Sequence, residues 1–315
     1  MWRIQFLRDV PTIDFIRRRM ILFALSGFLA LGSIVLVVGQ GLNLGIDFAG
    51  GILIEVKTAG AADLARMRGA LGGLGLGEVA LQEFGAPEDV LIRVERQPGG
   101  SEAQAAAVAK VKEALTAELG EGVGYRRVEF VGPKVGSELI RAGILAVVIA
   151  IAAMLAYVWF RFELPFGIAA VAALVHDMVT SVGVFSLTGF EFNLTTVAAL
   201  LLIIGYSIND TVVVFDRVRE NLRKYKTMPL PELINRSLNE TMSRTIITGG
   251  STLLVLLALF VFGGEVIRGF SFAMIWGVIV GTYSSIFIAS PLLLYLRVKR
   301  TVKDEEAGKA RKSGA

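Results

Sequence analysis

Cysteine is absent from the 315-residue chain, and histidine occurs only once, at His176. The lack of cysteine excludes disulfides, thiolate metal sites and a cysteine nucleophile. A zinc site made of several histidines is excluded too, because only one is present. The net charge is only +4, and the basic residues lie mostly at the ends of apolar runs rather than in one stripe. The sequence therefore predicts neither a cofactor nor a nucleic-acid partner.

Long apolar runs, in contrast, are frequent. Apolar residues make up 54% of the chain, and the mean hydropathy is +0.64, which favours a bilayer over water as the surrounding solvent. A bilayer core about 30 Å thick needs about 20 apolar residues of helix. The sequence predicts an α-helical polytopic membrane protein with six spans. The predicted spans are 20–39, 139–160, 165–188, 194–215, 244–263 and 270–296.

The first apolar run could be mistaken for a cleaved signal peptide, because it follows Arg17, Arg18 and Arg19. It is too long for the apolar region of a secretory signal, and no small-residue cleavage site follows it. We therefore interpret it as an uncleaved anchor.

Lysine and arginine are concentrated on one side of the predicted spans. They cluster in residues 1–19, in the loop 216–243 and in residues 297–315, whereas the loop 189–193 has none. The positive-inside rule then places both termini in the cytoplasm and residues 40–138 outside. Within 216–243 we expect an amphipathic helix at the membrane interface, and we expect the tail 297–315 to be disordered.

The external segment 40–138 shows the order β-α-β-β-α-β of the ferredoxin-like fold. Predicted strands cover 51–58, 78–84, 89–96 and 125–131, and predicted helices cover 61–71 and 101–119, with Ser101 as N-cap. The glycine-rich block Gly45-Ile-Asp-Phe-Ala-Gly-Gly51 lacks the lysine of a nucleotide-binding loop. We expect no enzymatic activity, and an energy source other than ATP hydrolysis by this chain.

Ionisable residues inside the spans are candidates for function, because a charge in hydrocarbon costs about 2.5–3.5 kcal/mol. Asp210 lies in the fourth span beside Asn209, and Tyr206 and Ser207 share its helix face. A carboxyl group there is suited to carry a proton, since protonation removes its desolvation penalty. The alternative is a helix-end aspartate that is capped by water or by a neighbour.

Two further positions carry ionisable side chains in the spans. Arg244 opens the fifth span, with Thr248 one turn further on the same face. Since the fourth and fifth spans are antiparallel, we expect Arg244 at the depth of Asp210, where its permanent charge would hold the carboxylate ionised. The alternative is an arginine that snorkels to the interface. His176 and Asp177 lie near the middle of the third span on different faces, and both proton passage and polar packing remain open for them.

Small residues recur at four-residue spacing in the sixth span, at Gly277, Gly281 and Ser285. This spacing predicts a close-packing helix face, because small side chains let two helix backbones approach. The face would pack either within this chain or against a partner.

Several long blocks of the sequence resemble the SecF family. They are Gly45–Gly51, Val131–Leu139, Ala173–Asp177, Ile204–Arg217 and Gly281–Ser285, in order along the chain. The first two blocks also resemble SecD, whereas the fourth block and the short external domain favour SecF. The resemblance implies half of an RND-type helix bundle in the bacterial inner membrane, paired with SecD.

The resemblance also implies a function and further partners. The implied partners are the SecYEG channel, YajC and, indirectly, the SecA motor, and the implied substrate is an unfolded preprotein. The chain would use the proton motive force to assist preprotein translocation after the ATP-driven steps of SecA, with Asp210 and Arg244 at the positions of the family's intramembrane aspartate and arginine. Two other functions remain open: a half-transporter that exports small molecules, and a subunit that only assembles the complex.

Overall fold

A computed structural model describes residues 12–84, 86–120, 122–296 and 298. In chain order the elements are α1 (Arg19–Gln40), α2 (Ile46–Ala49), β1 (Gly51–Lys57), α3 (Leu64–Gly72), β2 (Val79–Phe84), β3 (Ala86–Glu95), α4 (Gly100–Leu119), β4 (Gly124–Val131), α5 (Pro133–Arg161), α6 (Leu164–Thr188), α7 (Leu194–Lys224), α8 (Leu230–Phe262), α9 (Gly264–Ser284), a π-helical turn (Ser285–Ala289) and α10 (Ser290–Leu292). The predicted tail 297–315, apart from Val298, and residues 1–11 of the predicted N-terminal segment lie outside the described residues.

Within the described part of the chain, six helical segments are long and apolar enough to cross a membrane. Five of them are α1, α5, α6, α7 and α8, and the sixth runs from α9 through the π-helical turn into α10. In the most apolar stretch of each segment, 67% of the residues of α6 and 61% of those of the sixth are buried, against 6% for α1 and none for α5. The inner bundle therefore consists of α6, α7 and α9, and the surfaces of α1 and α5 face outward.

The chain between the fourth and fifth spans differs from the expected loop with a separate interfacial helix. α7 continues to Lys224 and α8 begins at Leu230, so the segment 216–243 is helical except for 225–229. Pro231 lies in the first turn of α8, where a proline removes no helical hydrogen bond. Both spans therefore extend beyond their apolar stretches.

Polar residues hold these two helical extensions together. Glu240 of α8 accepts hydrogen bonds from Arg217 (2.7 Å), Asn221 (2.7 Å) and Arg236 (2.9 Å). Asn221 also donates to Ser237 across the same contact, at 3.0 Å. Charged residues that suggested a solvated loop instead pair with each other between two helices, which explains the difference.

The external segment folds as the predicted ferredoxin-like domain. Its antiparallel sheet has the order β2-β3-β1-β4. Alternate residues of the central strands are buried, as the period of two requires. The core between the sheet and the helices α3 and α4 includes Ile52, Ile54, Val56, Met67, Leu71, Val90, Ile92, Val111 and Leu115.

The helix caps of this domain differ in part from the prediction. Gly99 precedes α4 with φ +123°, so Ser101 lies inside the first turn and is not the N-cap. A backbone in this left-handed region favours glycine, which has no Cβ to clash. α3 is capped by Asp63, whose carboxylate accepts a hydrogen bond from the backbone N–H of Arg66.

Candidate functional site

Asp177 lies at the centre of the inner bundle, and its side chain is fully buried. Its Oδ2 accepts hydrogen bonds from the hydroxyls of Ser207 on α7 (2.7 Å) and Ser284 on α9 (2.8 Å). Its Oδ1 lies 3.2 Å from Nδ1 of His176. One carboxylate of α6 therefore links three helices through hydrogen bonds that replace its water shell.

His176 and Asp177 contact each other, and both side chains meet α9. The carboxylate is bonded to α7 and α9, and the imidazole ring lies 6.3 Å from the ring of Tyr283, which is also on α9. The hydroxyl of Tyr283 lies 2.9 Å from Oγ of Ser26 on α1 and donates to the carbonyl of Leu22. Nε2 of His176 is buried and has no hydrogen-bond partner among the described residues.

Asp210 is also buried, with 4% of its surface exposed, but it has fewer partners. Among the described residues, its Oδ2 accepts one long hydrogen bond, 3.4 Å, from the hydroxyl of Thr282 on α9. On α7, Asp210 lies three positions after Ser207, and on α9, Thr282 lies two positions before Ser284. α9 therefore supplies a hydroxyl to each carboxylate, Ser284 to Asp177 and Thr282 to Asp210.

The expected ion pair between Asp210 and Arg244 is not formed. Arg244 attracts the carboxylate electrostatically, yet it forms no hydrogen bond or ion pair with any residue in the described ranges. Its side chain is exposed on the face of α8 that also carries Ile247, whereas Asp210 faces α9. The prediction relied on the antiparallel order of α7 and α8, which concerns only the depth of the two residues. The rotation of α8 about its axis turns the Arg244 side chain away from Asp210.

The two remaining candidates, Asn209 and Thr248, do not contact the carboxylates. Asn209 is exposed on the outer face of α7. Thr248 is half-buried, and its carbonyl oxygen accepts hydrogen bonds from the hydroxyls of Ser251 and Thr252. Both residues therefore lie beside the buried cluster rather than in it.

The small residues of the sixth span pack against α7 at matched four-residue intervals. A Cβ added to Gly277 would overlap the side chain of Ile203. A Cβ added to Gly281 would lie 3.0 Å from Cβ of Ser207. One turn further, Oγ of Ser285 lies 2.7 Å from Oγ1 of Thr211. This seam brings α9 close enough for its hydroxyls to reach both carboxylates.

The glycine-rich block of the external segment is attached to the other end of α7. Asp47 accepts a hydrogen bond from the backbone N–H of Leu194, the first residue of α7, at 3.0 Å. A carboxylate is stabilised there because unpaired N–H groups and the positive end of the helix dipole meet at an N-terminus. Asn193 is the N-cap itself, through a hydrogen bond from the N–H of Thr196.

Further contacts connect the external domain to the same loop. The backbone of Phe192 accepts a hydrogen bond from the N–H of Gly45 (2.9 Å) and donates one to the carbonyl of Asn43 (2.7 Å). Arg93 on β3 forms an ion pair with Glu191. Burial lowers the pKa of Arg93 below its ordinary value, and a guanidinium remains charged at neutral pH nonetheless. The external domain is thus bonded to the start of α7, the helix that carries Asp210.

Comparisons with known proteins identify the family. A family model for the C-terminal region of the protein export membrane proteins SecD and SecF matches residues 111–299. A second family model, for the SecD/SecF GG motif, matches residues 35–62. Protein translocase subunit SecF of Cereibacter sphaeroides is 47% identical over 98% of this chain and 97% of its own. The chain belongs to the SecF family. SecF of Magnetococcus marinus is 52% identical, over 90% of this chain and 91% of its own.

Solved structures support the same assignment. SecDF from Thermus thermophilus, described as a translocon-associated membrane protein, superposes with a TM-score of 0.76 and 36% identity over 94% of this chain. A SecDF structure in a super-membrane-facing form gives 0.72 and 35% over 99% of this chain. This chain spans 39% and 41% of those two chains.

These findings confirm the predicted family and fold class: a multi-pass, RND-type half bundle with a ferredoxin-like domain. They also support a role in the Sec pathway and a complex that contains SecD. The GG motif includes Asp47, and the C-terminal region includes both buried aspartates and Arg244.

Several site residues were missed by the sequence analysis. Thr282 and Ser284, which bond the two carboxylates, lie between Gly281 and Ser285, which were predicted only as part of a packing face. The signal for them is a run of four hydroxyl residues in one apolar span, at 282–285. Asp47 and the Arg93–Glu191 pair carried no such signal, because only the fold brings them to the start of α7.

Proposed function

We propose that this chain is the SecF subunit of a SecD–SecF complex that uses the proton motive force to assist preprotein translocation. In this proposal it lies in the bacterial inner membrane with both termini in the cytoplasm and has no enzymatic activity of its own. The complex works with the SecYEG channel and YajC on unfolded preproteins after SecA has acted. The observation that carries the proposal is the weakly bonded carboxyl group of Asp210, buried in the inner bundle.

The partners of Asp210 suit a group that changes protonation. No lysine or arginine in the described ranges forms an ion pair with Asp210, so only one long hydrogen bond from Thr282 compensates a negative charge. Protonation is a direct way to remove the desolvation penalty of such a carboxylate. Arg244 lies within electrostatic reach, so a shift of α8 would let it pair with the ionised form. In this proposal, the arrangement described here is the one in which Asp210 and Arg244 are not paired.

α7 offers a route from Asp210 to the external domain. It is one uninterrupted helix of 31 residues, about 46 Å long at about 1.5 Å per residue. Its first N–H group is held by Asp47, and the loop before it is held by Arg93. A tilt or shift of α7 would therefore move the external domain, and through it the contacts of the complex with preprotein.

The energy available per proton is sufficient for such a shift. One charge that crosses a potential of about 150 mV gains about 3.5 kcal/mol. A difference of that size biases a two-state equilibrium by a few hundredfold.

The experiment is gradient-driven translocation in proteoliposomes that contain SecD, the SecYEG channel and this chain. Asp210→Asn keeps the shape of the side chain but prevents ionisation, so we expect the stimulation by a proton gradient to be lost and ATP-driven translocation to remain. Asp216→Asn is the matched control. It makes the same change on the same helix, at an exposed residue that pairs with Arg161, and we expect normal stimulation. Normal stimulation by the Asp210 variant would remove this residue from the mechanism.

A subunit that only assembles the complex is the second candidate function. The observation that favours it is Asp177, whose hydrogen bonds cross-link three helices. In this case, Asp210→Asn would leave both assembly and gradient-driven translocation intact, whereas Asp177→Asn would impair assembly. An Asp210→Asn variant that preserves the complex with SecD but abolishes the stimulation would favour transduction.

A further inference from the structure

Residues 12–18 form a short segment before α1, which we term the N-terminal arm. Two asparagines of α8, one turn apart, hold its backbone. Asn239 accepts from the N–H of Ile13 (2.9 Å) and donates to the carbonyl of the same residue (2.8 Å). Asn235 accepts from the N–H of Phe15 at 2.8 Å. These bonds attach the arm through its main chain, so its side chains are free to serve another purpose.

Two side chains of the arm enter the membrane bundle. Phe15 and Ile16 are 8% and 3% exposed and belong to the main apolar core, whereas Ile13 is 51% exposed. The ring of Phe15 lies 5.9 Å from the ring of Phe287. The arm therefore covers the end of the bundle at which α8 extends beyond its apolar stretch.

An unbroken row of rings leads from the arm to the buried aspartate. Phe287 lies 5.1 Å from Tyr283, and Tyr283 lies 6.3 Å from His176, the neighbour of Asp177. These centroid distances are those of packed aromatic pairs. Phe15 is thus the outermost ring of a row that ends beside Asp177.

Phe287 lies in the π-helical turn Ser285–Ala289, a local irregularity of the sixth span. Single π-helical turns inside α-helices occur frequently at functional sites. The turn starts at Ser285, which contacts Thr211 of α7, and it is closed by a hydrogen bond from Oγ of Ser290 to the carbonyl of Ser285 (2.7 Å). The arm therefore packs on the part of the sixth span whose helical geometry already deviates.

We propose that the N-terminal arm is a removable plug, in which Phe15 closes the access of water to the Asp177 cluster from one side of the membrane and Asn235 and Asn239 are its clasp. The inference rests on the proposed function in one respect, which is that this side is cytoplasmic. Release of the clasp admits water to this cluster, and its closure keeps water out of the bundle.

The lack of cysteine in this chain allows a direct test with Ser284→Cys as the single reporter beside Asp177, in a complex whose SecD carries no cysteine. The complex with SecD is prepared in inside-out and right-side-out vesicles, and the labelling rate by a charged, membrane-impermeant methanethiosulfonate is measured. Phe15→Ala should raise the rate at least tenfold in inside-out vesicles only. Ile13→Ala truncates an exposed side chain of the same arm, keeps both backbone bonds to Asn239, and should leave the rate unchanged.

A second variant tests the hydrogen bonds of the clasp separately from the ring of Phe15. Asn239→Leu keeps the size of the side chain but removes its hydrogen bonds to the arm, and it should accelerate labelling from the same side. Equal rates for Phe15→Ala and Ile13→Ala would overturn the plug, and so would an increase from both sides, because general loosening of the bundle has no sidedness. Since labelling needs no proton gradient, a failure of Asp210→Asn to affect translocation would count against the proposed function and leave the plug standing.

Discussion

The surroundings of Asp177 and Asp210 differ sharply, although both carboxylates lie in the inner bundle and both contact α9. Among the described residues, Asp177 has three hydrogen-bonding neighbours, one each on α6, α7 and α9. Asp210 has one, at 3.4 Å, and an arginine that attracts it without pairing. Burial is therefore common to both sites, and the number of partners distinguishes them.

This difference suggests a division of roles. A fully bonded carboxylate fixes the arrangement of its helices, because any movement leaves several polar groups unpaired. A sparsely bonded carboxylate is held by little, so protonation or the approach of a cation changes which arrangement is most stable. Under the proposed function, Asp177 is the pivot of the inner bundle and Asp210 is the group that switches.

The largest effect on stability is expected from removing the pivot. Asp177→Ala leaves the hydroxyls of Ser207 and Ser284 buried without their acceptor and creates a cavity, which should lower the free energy of unfolding by about 3 kcal/mol. Asp210→Ala should cost less than about 1 kcal/mol, because it removes a single long hydrogen bond. Denaturant unfolding of the purified SecD complex measures both. Equal losses for the two variants would contradict the division of roles.

The close seam between α7 and α9 is the next feature to test. Gly277→Ala places a methyl group against Ile203, and overpacking of this kind should destabilise the bundle by about 1–3 kcal/mol. Gly250→Ala is the matched control on α8, since nothing lies within 4 Å of its added Cβ, and a helical alanine there should stabilise slightly, by up to about 1 kcal/mol. Thermal unfolding compares them. A harmless Gly277→Ala would mean that α9 can retreat without disturbing either carboxylate.

The secondary-structure elements of both the inner bundle and the external domain could be predicted from the sequence. Periodicity and length were sufficient for the spans and for the β-α-β-β-α-β order, because one chain segment determines each element. Asp177 and Asp210 were found because an ionisable residue in an apolar run is visible without knowledge of its neighbours.

The missing parts all depend on how elements face each other. Sequence separation gave the depth of Arg244 but not the rotation of α8, which points its side chain outward. The partners of Asp177 on α7 and α9 are 30 and 107 residues away. The polar extensions of α7 and α8 resembled a loop, because Glu240 and its partners satisfy each other only after the two helices pack.

A smaller effect on stability, with a large one on coupling, is expected at the start of α7. Asp47→Ala removes a carboxylate from the N-terminus of the helix and should cost about 1 kcal/mol. Asp63→Ala removes an N-cap of similar value from α3, inside the external domain and without contact to α7. If α7 transmits movement, gradient-driven translocation should fall in the Asp47 variant and persist in the Asp63 variant. Equal activities would show that the link at Leu194 only stabilises the fold.

The smallest expected effects compare the two hydroxyls that α9 offers to the carboxylates. Ser284→Ala removes one of three partners from Asp177 and should cost about 1 kcal/mol, since the other two remain. Thr282→Val removes the one hydrogen bond that the Asp210 side chain forms within the described part of the chain. At 3.4 Å this bond is long, so less than about 0.5 kcal/mol is expected. For gradient-driven translocation we expect the larger effect from Thr282→Val, because Thr282 contacts the switching group Asp210 and Ser284 contacts the fixed group Asp177. We therefore expect the proton-gradient dependence of translocation to shift for Thr282→Val and to remain for Ser284→Ala, and the opposite pattern would assign the switch to Asp177.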